Sequence, residues 1–217
     1  MIITEDLVRR WLRGWGLARR LPAPEPVDGG LQVRCDQPGR QVEVFALRAD
    51  EEPDSVARLA ARVAAADLRT WLTVTTTRPE EVGTALAAGG LELLDRPEWL
   101  MSVDLTTHPR HAPADTYRST VEVDGPVVTV SIHDPSGVLA ARGQLAVSGT
   151  DAVADRIETS PEHRRRGLAS AVMGALAGAA VDQGARTGLL IASADGQHLY
   201  SRLGWRREAD VLIARPA

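Results

Sequence analysis

Apolar residues near the start of the chain recur at the spacing of an amphipathic helix. Thr4 is placed to cap this helix, and arginines occupy the opposite or flanking positions. We expect the apolar face to pack onto the rest of the chain, although a basic amphipathic helix can also lie on a membrane surface. Alternating prolines then end the helix in an extended spacer. The apolar face consists of Leu7, Val8, Trp11, Leu12 and Trp15, and the prolines are Pro22, Pro24 and Pro26.

Residues 31–105 alternate between strand and helix patterns. A strand that begins at Leu31 and a strand over 42–47 flank a turn at Pro38-Gly39. Helices are predicted to begin at Pro53 and Pro79, one on each side of a strand over 70–75, and a last strand follows.

A stretch over 106–116 that is rich in proline, histidine and aspartate is the expected linker. From residue 117 onward, turns at Asp124-Gly125 and Pro135-Ser136-Gly137 help to divide the chain into four strands, the last over 153–159. An alanine-rich helix over 169–181 and an apolar strand over 187–193 come next. Strand, loop, helix and strand form a βαβ unit, whose ligands bind at the carboxyl ends of the strands.

The loop of this unit carries the sequence Arg164-Arg165-Arg166-Gly167. Backbone N–H groups at the start of a helix have no partners within the helix, and the helix dipole adds about half a positive charge there. Glycine lets the backbone approach a ligand closely. The loop therefore favours binding of a phosphate group, although three arginines in a row can also form a solvated turn or a nonspecific polyanion patch.

The two halves of the chain resemble each other weakly. The pattern from Ala60 through the strand over 70–75 to Leu91 is repeated from Ala175 through the strand over 187–193 to Trp205. A repeat of this kind suggests that the chain contains two related units.

Composition narrows the classes of function. The chain has 217 residues, of which 44% are hydrophobic and 25% charged, as is typical of globular proteins. No apolar run reaches the roughly 20 residues of a membrane span, and Glu5-Asp6 does not fit a signal peptide, so we expect a cytoplasmic protein with no membrane partner. Cys35 is the single cysteine, and His108 and His111 have no acidic or cysteine neighbour, so we expect no metal.

All 25 basic residues are arginine. Without lysine the chain cannot form a Schiff base, a Walker loop or a pyridoxal link. It also contains no asparagine and no Gly-x-Ser-x-Gly motif, which disfavours hydrolases. A net charge of -4 argues against a nucleic-acid partner.

The spacing Arg164-x-x-Gly167-x-Ala169, with Leu199-Tyr200-x-x-Leu203-Gly204-Trp205 downstream, resembles the GNAT N-acetyltransferase superfamily. The resemblance covers 117–217 and implies an α/β (α+β) fold, in which helices flank a mixed, mostly antiparallel and twisted sheet. It also implies acetyl-CoA or another acyl-CoA as cosubstrate. The loop amides would then hold the pyrophosphate, and the preceding strand would pair with the pantetheine arm. By position these cofactor-binding roles fall on Ile157, Thr159, Arg164, Arg165, Arg166, Gly167, Leu168, Ala169 and Ser170.

The resemblance also suggests catalytic residues. Tyr200 is the expected acid, because a phenol can protonate the departing thiolate. Glu158 is the preferred base over Asp155, with a water chain or an upstream residue as alternatives; strict alternation would put the two carboxylates on opposite faces of the sheet. Ser193 stands near the pantetheine where the family commonly has asparagine. His163 is expected to shape the loop.

Residues 1–105 then form an N-terminal helix and a degenerate GNAT-like half that shapes the acceptor site. Asp50-Glu51-Glu52-Pro53 replaces the arginines and glycine, and acidic residues would repel a pyrophosphate. The leading hypothesis is an N-acetyltransferase that acts on a primary amine of a small molecule or a protein. The alternatives are a non-catalytic CoA-responsive or structural module and a polyanion-binding protein. The oligomeric state, including a homodimer, is open.

Overall fold

The computed structural model describes residues 5–217. Within this range, five α-helices accompany one large sheet. The helices are α1 (Glu5–Arg19), α2 (Asp54–Ala64), α3 (Pro79–Ala88), α4 (Leu168–Asp182) and α5 (Ala194–Arg202). The strands are β1 (Glu25–Val27), β2 (Gly30–Gln37), β3 (Arg40–Ala46), β4 (Thr70–Thr76), β5 (Leu91–Leu93), β6 (Glu98–Asp104), β7 (Arg118–Asp124), β8 (Val127–His133), β9 (Leu139–Ser148), β10 (Asp151–Thr159), β11 (Thr187–Ser193) and β12 (Arg206–Pro216).

The strands lie in the order β1-β2-β3-β4-β12-β6-β11-β10-β9-β8-β7, and β5 pairs with part of β12. Among the described residues, only the pairs β3–β4 and β10–β11 are parallel. The predicted mixed and mostly antiparallel sheet with flanking helices is therefore confirmed.

The sheet contains two copies of one pattern, as the sequence repeat suggested. In the first half β3, α2, β4 and α3 follow one another, and in the second half β10, α4, β11 and α5 do so. A later strand of each half crosses to the other half: β6, which follows the short β5, pairs with β11, and β12, which follows α5, pairs with β4. Strands β6 and β12 also pair with each other, and this pairing makes the sheet continuous.

Helix α1 lies between the halves and covers one face of the sheet. It packs on β9 and β10 and shares an apolar cluster with residues of β3, β6 and β12. Trp11 and Trp15 are both buried, and their rings lie 5.8 and 5.3 Å from that of Phe45. The expectation that this helix packs onto the chain is confirmed, whereas Thr4, its expected cap, lies outside the described residues. None of the helices over 5–217 is long and apolar enough to cross a membrane.

The proline segment after α1 differs from the expected spacer. Pro26 lies in β1, which pairs antiparallel with β2 at the edge of the sheet. An edge strand tolerates proline because the missing N–H can fall on the side that has no neighbour. The helix itself ends at Arg19, and Arg20 adopts a left-handed conformation with φ 54°.

The expected linker is packed against the second half. His108 is buried, and its Nε2 accepts a hydrogen bond of 3.2 Å from Nε1 of Trp205. Burial lowers the pKa of His108, which favours the neutral ring that this bond requires. Farther along, the backbone at Arg110 and His111 lies so close to α4 that a Cβ on Gly174 would be 2.9 Å from the His111 nitrogen.

Candidate functional site

The loop between β10 and α4 leaves a group of backbone donors open. Gly167 precedes the first residue of α4 with φ 77°, and Arg165 also has a positive φ of 62°. None of the amides over 165–170 donates a hydrogen bond to another described residue. Such a set of N–H groups at the positive end of a helix is suited to phosphate oxygens.

The arginines around these donors are exposed. One of them, Arg166, begins a series of side-chain contacts that continues through Tyr117 and His163 to Asp134. Arg166 Nη1 donates to the Tyr117 hydroxyl over 3.1 Å, and that hydroxyl lies 3.1 Å from Nδ1 of His163. His163 Nε2 is 3.7 Å from a carboxylate oxygen of Asp134. His163 thus has the loop-shaping place that the sequence predicted.

The strands that frame the loop pair only at their beginnings. Asp151–Val153 of β10 pair with Thr187–Leu189 of β11, although β10 continues to Thr159 and β11 to Ser193. A β-bulge interrupts the pairing of β10 with β9 between Asp155 and Glu158. The stretch of β10 that does not pair with β11 contains Ile157 and Thr159, the positions expected along the pantetheine arm, and leads to the loop with the open amides. We call this opening the β10–β11 cleft.

The corresponding place in the first half is closed. Strands β3 and β4 pair over five consecutive residues without a register shift. The Asp50 carboxylate then accepts hydrogen bonds from the backbone and hydroxyl of Thr77 and from the hydroxyl of Thr76, and so ties the loop after β3 to the end of β4. Asp50 stands where the second half has its open amides.

Tyr200 lies on α5 and is 8% exposed. Its ring packs 6.0 Å from that of Trp205, and its hydroxyl makes no hydrogen bond to any described residue. Burial raises the pKa of Tyr200, and the negative charge of Asp155 raises it further. The phenol therefore stays protonated at neutral pH and can act as a proton donor.

The two candidate carboxylates occupy different environments. Asp155 accepts two hydrogen bonds of 2.8 Å from Arg19 of α1, and its side chain is 12% exposed. Glu158 pairs with Arg142 on the surface, with 56% of its side chain exposed. The bulge breaks the alternation, so both carboxylates lie on the face that α1 covers, opposite Gln144 and Arg142 of β9. The regular alternation that would have put them on opposite faces is therefore not present in β10.

Ser193 ends β11 and caps α5. Its hydroxyl oxygen accepts a hydrogen bond of 3.3 Å from the backbone N–H of Gly196. This bond fixes the start of the helix that carries Tyr200. A role for Ser193 at the pantetheine stays a prediction.

A cavity of about 310 Å³ lies on the α1 side of the sheet, where the β10–β11 cleft begins. Asp155 and Ile191 line it from the second half, and Arg19 and two tryptophans line it from α1. The first half contributes the wall formed by Gln37, Arg40, Glu43, Trp71 and Thr73, and β6 and its approach contribute Arg96 and Glu98. We call it the central cavity.

Glu43 is the most buried charged group of the central cavity, with 3% exposure. It accepts hydrogen bonds of 2.5 Å from Arg40 and from the hydroxyl of Thr73. Burial raises the pKa of Glu43, and the charge of Arg40 acts in the opposite direction. Sequence reasoning missed this pair, although Glu43 interrupts an otherwise apolar stretch of β3 and could have drawn attention to it.

Comparisons with known proteins agree on one fold. A model of the FR47-like protein family matches residues 149–212. A GCN5-related N-acetyltransferase from Kribbella flavida superposes with a TM-score of 0.68 over 100% of this chain and 97% of its own, at 17% identity. A tandem GNAT protein from the clavulanic acid biosynthesis pathway gives 0.60 over 85% and 77% of the chains, at 13% identity. No curated protein sequence matches.

The chain has the GNAT fold. The resemblance seen in the sequence is confirmed at that level, and the family model matches the stretch that runs from the start of β10 through α5 into β12. This GNAT-like half carries the open loop and the cleft, whereas the closed first half supplies most of one wall of the central cavity.

Proposed function

We propose that the chain is an N-acetyltransferase that transfers the acetyl group of acetyl-CoA to a primary amine. The observation that carries this proposal is the set of unpartnered amides over 165–170 at the end of the β10–β11 cleft. The amides and the neighbouring arginines would hold the pyrophosphate, and the unpaired edge of β10 at Ile157 and Thr159 would bond the pantetheine arm.

The chemistry would take place where the cleft meets the central cavity. The ammonium group of the acceptor gives a proton to a carboxylate, which later releases it to water. The amine attacks the thioester carbon, and the C–S bond breaks as the nitrogen loses its second proton to water. Tyr200 donates a proton to the departing sulfur and regains one from water. We propose Asp155 as the base, because it lines the cavity and its charge acts on Tyr200.

Glu158 has weaker support for this role. Its carboxylate is held on the surface by Arg142 and does not line the cavity. Holding the amine and the thioester together in the cleft can lower the activation barrier by about 7–11 kcal/mol. General acid and base catalysis contributes a smaller further acceleration.

The test of the proposal combines binding with turnover. Acetyl-CoA at about 1 mM should raise the melting temperature of the protein, because a ligand that binds only the folded state stabilises it. Tyr200→Phe and Asp155→Asn should keep this shift and lower kcat by about 10²–10⁴-fold, measured as release of free CoA thiol.

Glu158→Gln is the matched control and should retain turnover, since its carboxylate faces solvent. A protein that gains no stability from acetyl-CoA or CoA would refute the proposal. A protein that binds acetyl-CoA without consuming it across a broad panel of amines would instead be a non-catalytic CoA-binding module.

A further inference from the structure

The wall that the first half contributes to the central cavity contains a buried arginine, Arg40, with one N–H group that has no hydrogen-bond partner among the described residues. Arg40 is 9% exposed; its Nη1 donates to Glu43 and its Nη2 donates to Gln37 over 3.0 Å. Its Nε has no hydrogen-bond partner among the described residues. A buried donor without an acceptor destabilises the folded protein, and a hydrogen bond to a ligand oxygen would remove that cost.

A second arginine stands at the same end of the cavity. The guanidinium carbons of Arg40 and Arg96 lie 5.1 and 5.8 Å from the centre of the Trp71 ring. Arg96 donates through Nε and Nη2 to a single oxygen of Glu98, over 3.2 and 2.7 Å. Its Nη1 makes no hydrogen bond to a described residue. Unused guanidinium donors at Arg40 and Arg96 thus make this end of the cavity suitable for an anion.

The end of the cavity at the β10–β11 cleft presents a carboxylate, that of Asp155, which is paired with Arg19 of α1. The lining of the cavity contains as many basic as acidic side chains. The basic ones are Arg19, Arg40 and Arg96, and the acidic ones are Glu43, Glu98 and Asp155. A ligand that is neutral overall but carries separated charges matches such a wall. A diamine would place a positive charge beside the unused arginine donors, and a dicarboxylate would place a negative charge beside Asp155 at the reacting end. Both arrangements bring like charges together and are unfavourable.

We propose that the acceptor is a free amino acid or a closely related small zwitterion. Its carboxylate binds Arg40 and Arg96 beside Trp71, and its amine points to Asp155 and the cleft. A volume of about 310 Å³ is at the lower end of small-molecule sites and suits a ligand of this size. This inference rests on the proposed function, whose acceptor it specifies.

The experiment compares amino acids with the amines that lack only the carboxylate, such as glycine with methylamine and phenylalanine with phenethylamine. With saturating acetyl-CoA, the best amino acid should have a kcat/KM at least about 100-fold above that of its decarboxylated partner, because a site built for a polar group discriminates strongly against its loss. In the presence of CoA, the same amino acid should further raise the melting temperature.

Arg96→Gln tests the anion end without disturbing the buried pair. It should raise KM for the amino acid about tenfold, reduce the stabilisation by a fixed concentration of that amino acid and preserve the stabilisation by acetyl-CoA. Arg34→Gln is the matched control, since Arg34 also pairs with an acidic residue two positions on, Asp36, but lies outside the cavity. Arg40→Lys, which keeps the charge beside Glu43 but removes Nε, should resemble Arg96→Gln.

Equal turnover of the decarboxylated amines would overturn the zwitterion proposal and leave the acetyltransferase intact. The zwitterion proposal also fails if acetyl-CoA stabilises the protein but none of the twenty amino acids at about 10 mM adds stability or is acetylated. Absence of any stabilisation by acetyl-CoA would instead contradict the proposed function itself.

Discussion

Two glycines of α1 show how closely that helix approaches the sheet. A Cβ on Gly14 would lie 2.3 Å from Cγ2 and 2.7 Å from Cβ of Val153, whereas nothing lies within 4 Å of a Cβ on Gly16. The Val153 Cβ is fixed by the backbone of β10, so α1 would have to move away. Gly14 therefore sets the distance between α1 and the strand that carries Asp155.

Gly14→Ala should destabilise the protein by about 1–3 kcal/mol, the usual cost of overpacking, and should lower turnover because Arg19 and Trp15 shift with the helix. Gly16→Ala should stabilise it by up to about 1 kcal/mol, since alanine favours a helix more than glycine does. Urea unfolding of both variants measures the difference. If both variants changed the free energy of unfolding in the same direction, close packing at Gly14 would not explain the effect of its substitution.

Single residues were also where the sequence was least informative. Tyr200 could be selected from its place in the motif, but the choice between Asp155 and Glu158 depended on a bulge that no local signal announces. Arg40 and Glu43 lie far from the motif in the chain and belong to the half without an open loop. Only the strand order brings them to the cavity beside the cleft.

At the level of elements, the loop before α4 depends on one backbone conformation. Gly167 has φ 77°, and a Cβ there would meet nothing within 4 Å, so a side chain would be strained by the backbone and not by contacts. Gly149, in the turn between β9 and β10, has φ 62° and equally open surroundings at the opposite end of β10. The two positions form a matched pair.

Gly167→Val and Gly149→Val should each cost about 1–3 kcal/mol of stability, because a branched residue is poorly accommodated at positive φ. Only Gly167→Val should also reduce stabilisation by acetyl-CoA, by moving the amides over 165–170. Melting temperatures with and without acetyl-CoA separate the two effects. Equal loss of the ligand shift in both variants would mean that the loop geometry is not what binds the donor.

Elements were well predicted wherever the pattern was strong. The strand over 187–193 and the helix around 169–181 appear almost as expected, and the hairpin turns at Gly125 and Gly137 have the positive φ that glycine permits. The short strand β1 was missed, because prolines argue against strands except at an edge, and the sequence does not say which strands are edges.

For the whole molecule, the exchange of β6 and β12 ties the stability of each half to the other. Leu59 of α2 and Leu176 of α4 are both fully buried, in separate apolar clusters on the two halves. A sheet that is continuous through β12 and β6 leaves neither half complete without a strand of its neighbour.

Leu59→Ala and Leu176→Ala should each lower stability by about 2–5 kcal/mol and shift one common transition. Far-ultraviolet circular dichroism and tryptophan fluorescence should report the same midpoint for each variant, as expected for cooperative unfolding. Two separate transitions, with each substitution moving only one of them, would contradict the coupling of the halves.

The exchanged strands also constrain how the protein is made. The partner of β4 is β12, over residues 206–216, so the first half stays one strand short until the ribosome has translated nearly all of the described chain. An emerging nascent chain would expose an unsatisfied strand edge during that time, a state prone to aggregation that chaperones commonly shield. The first half is thus translated early but can be completed only after β12 has been made.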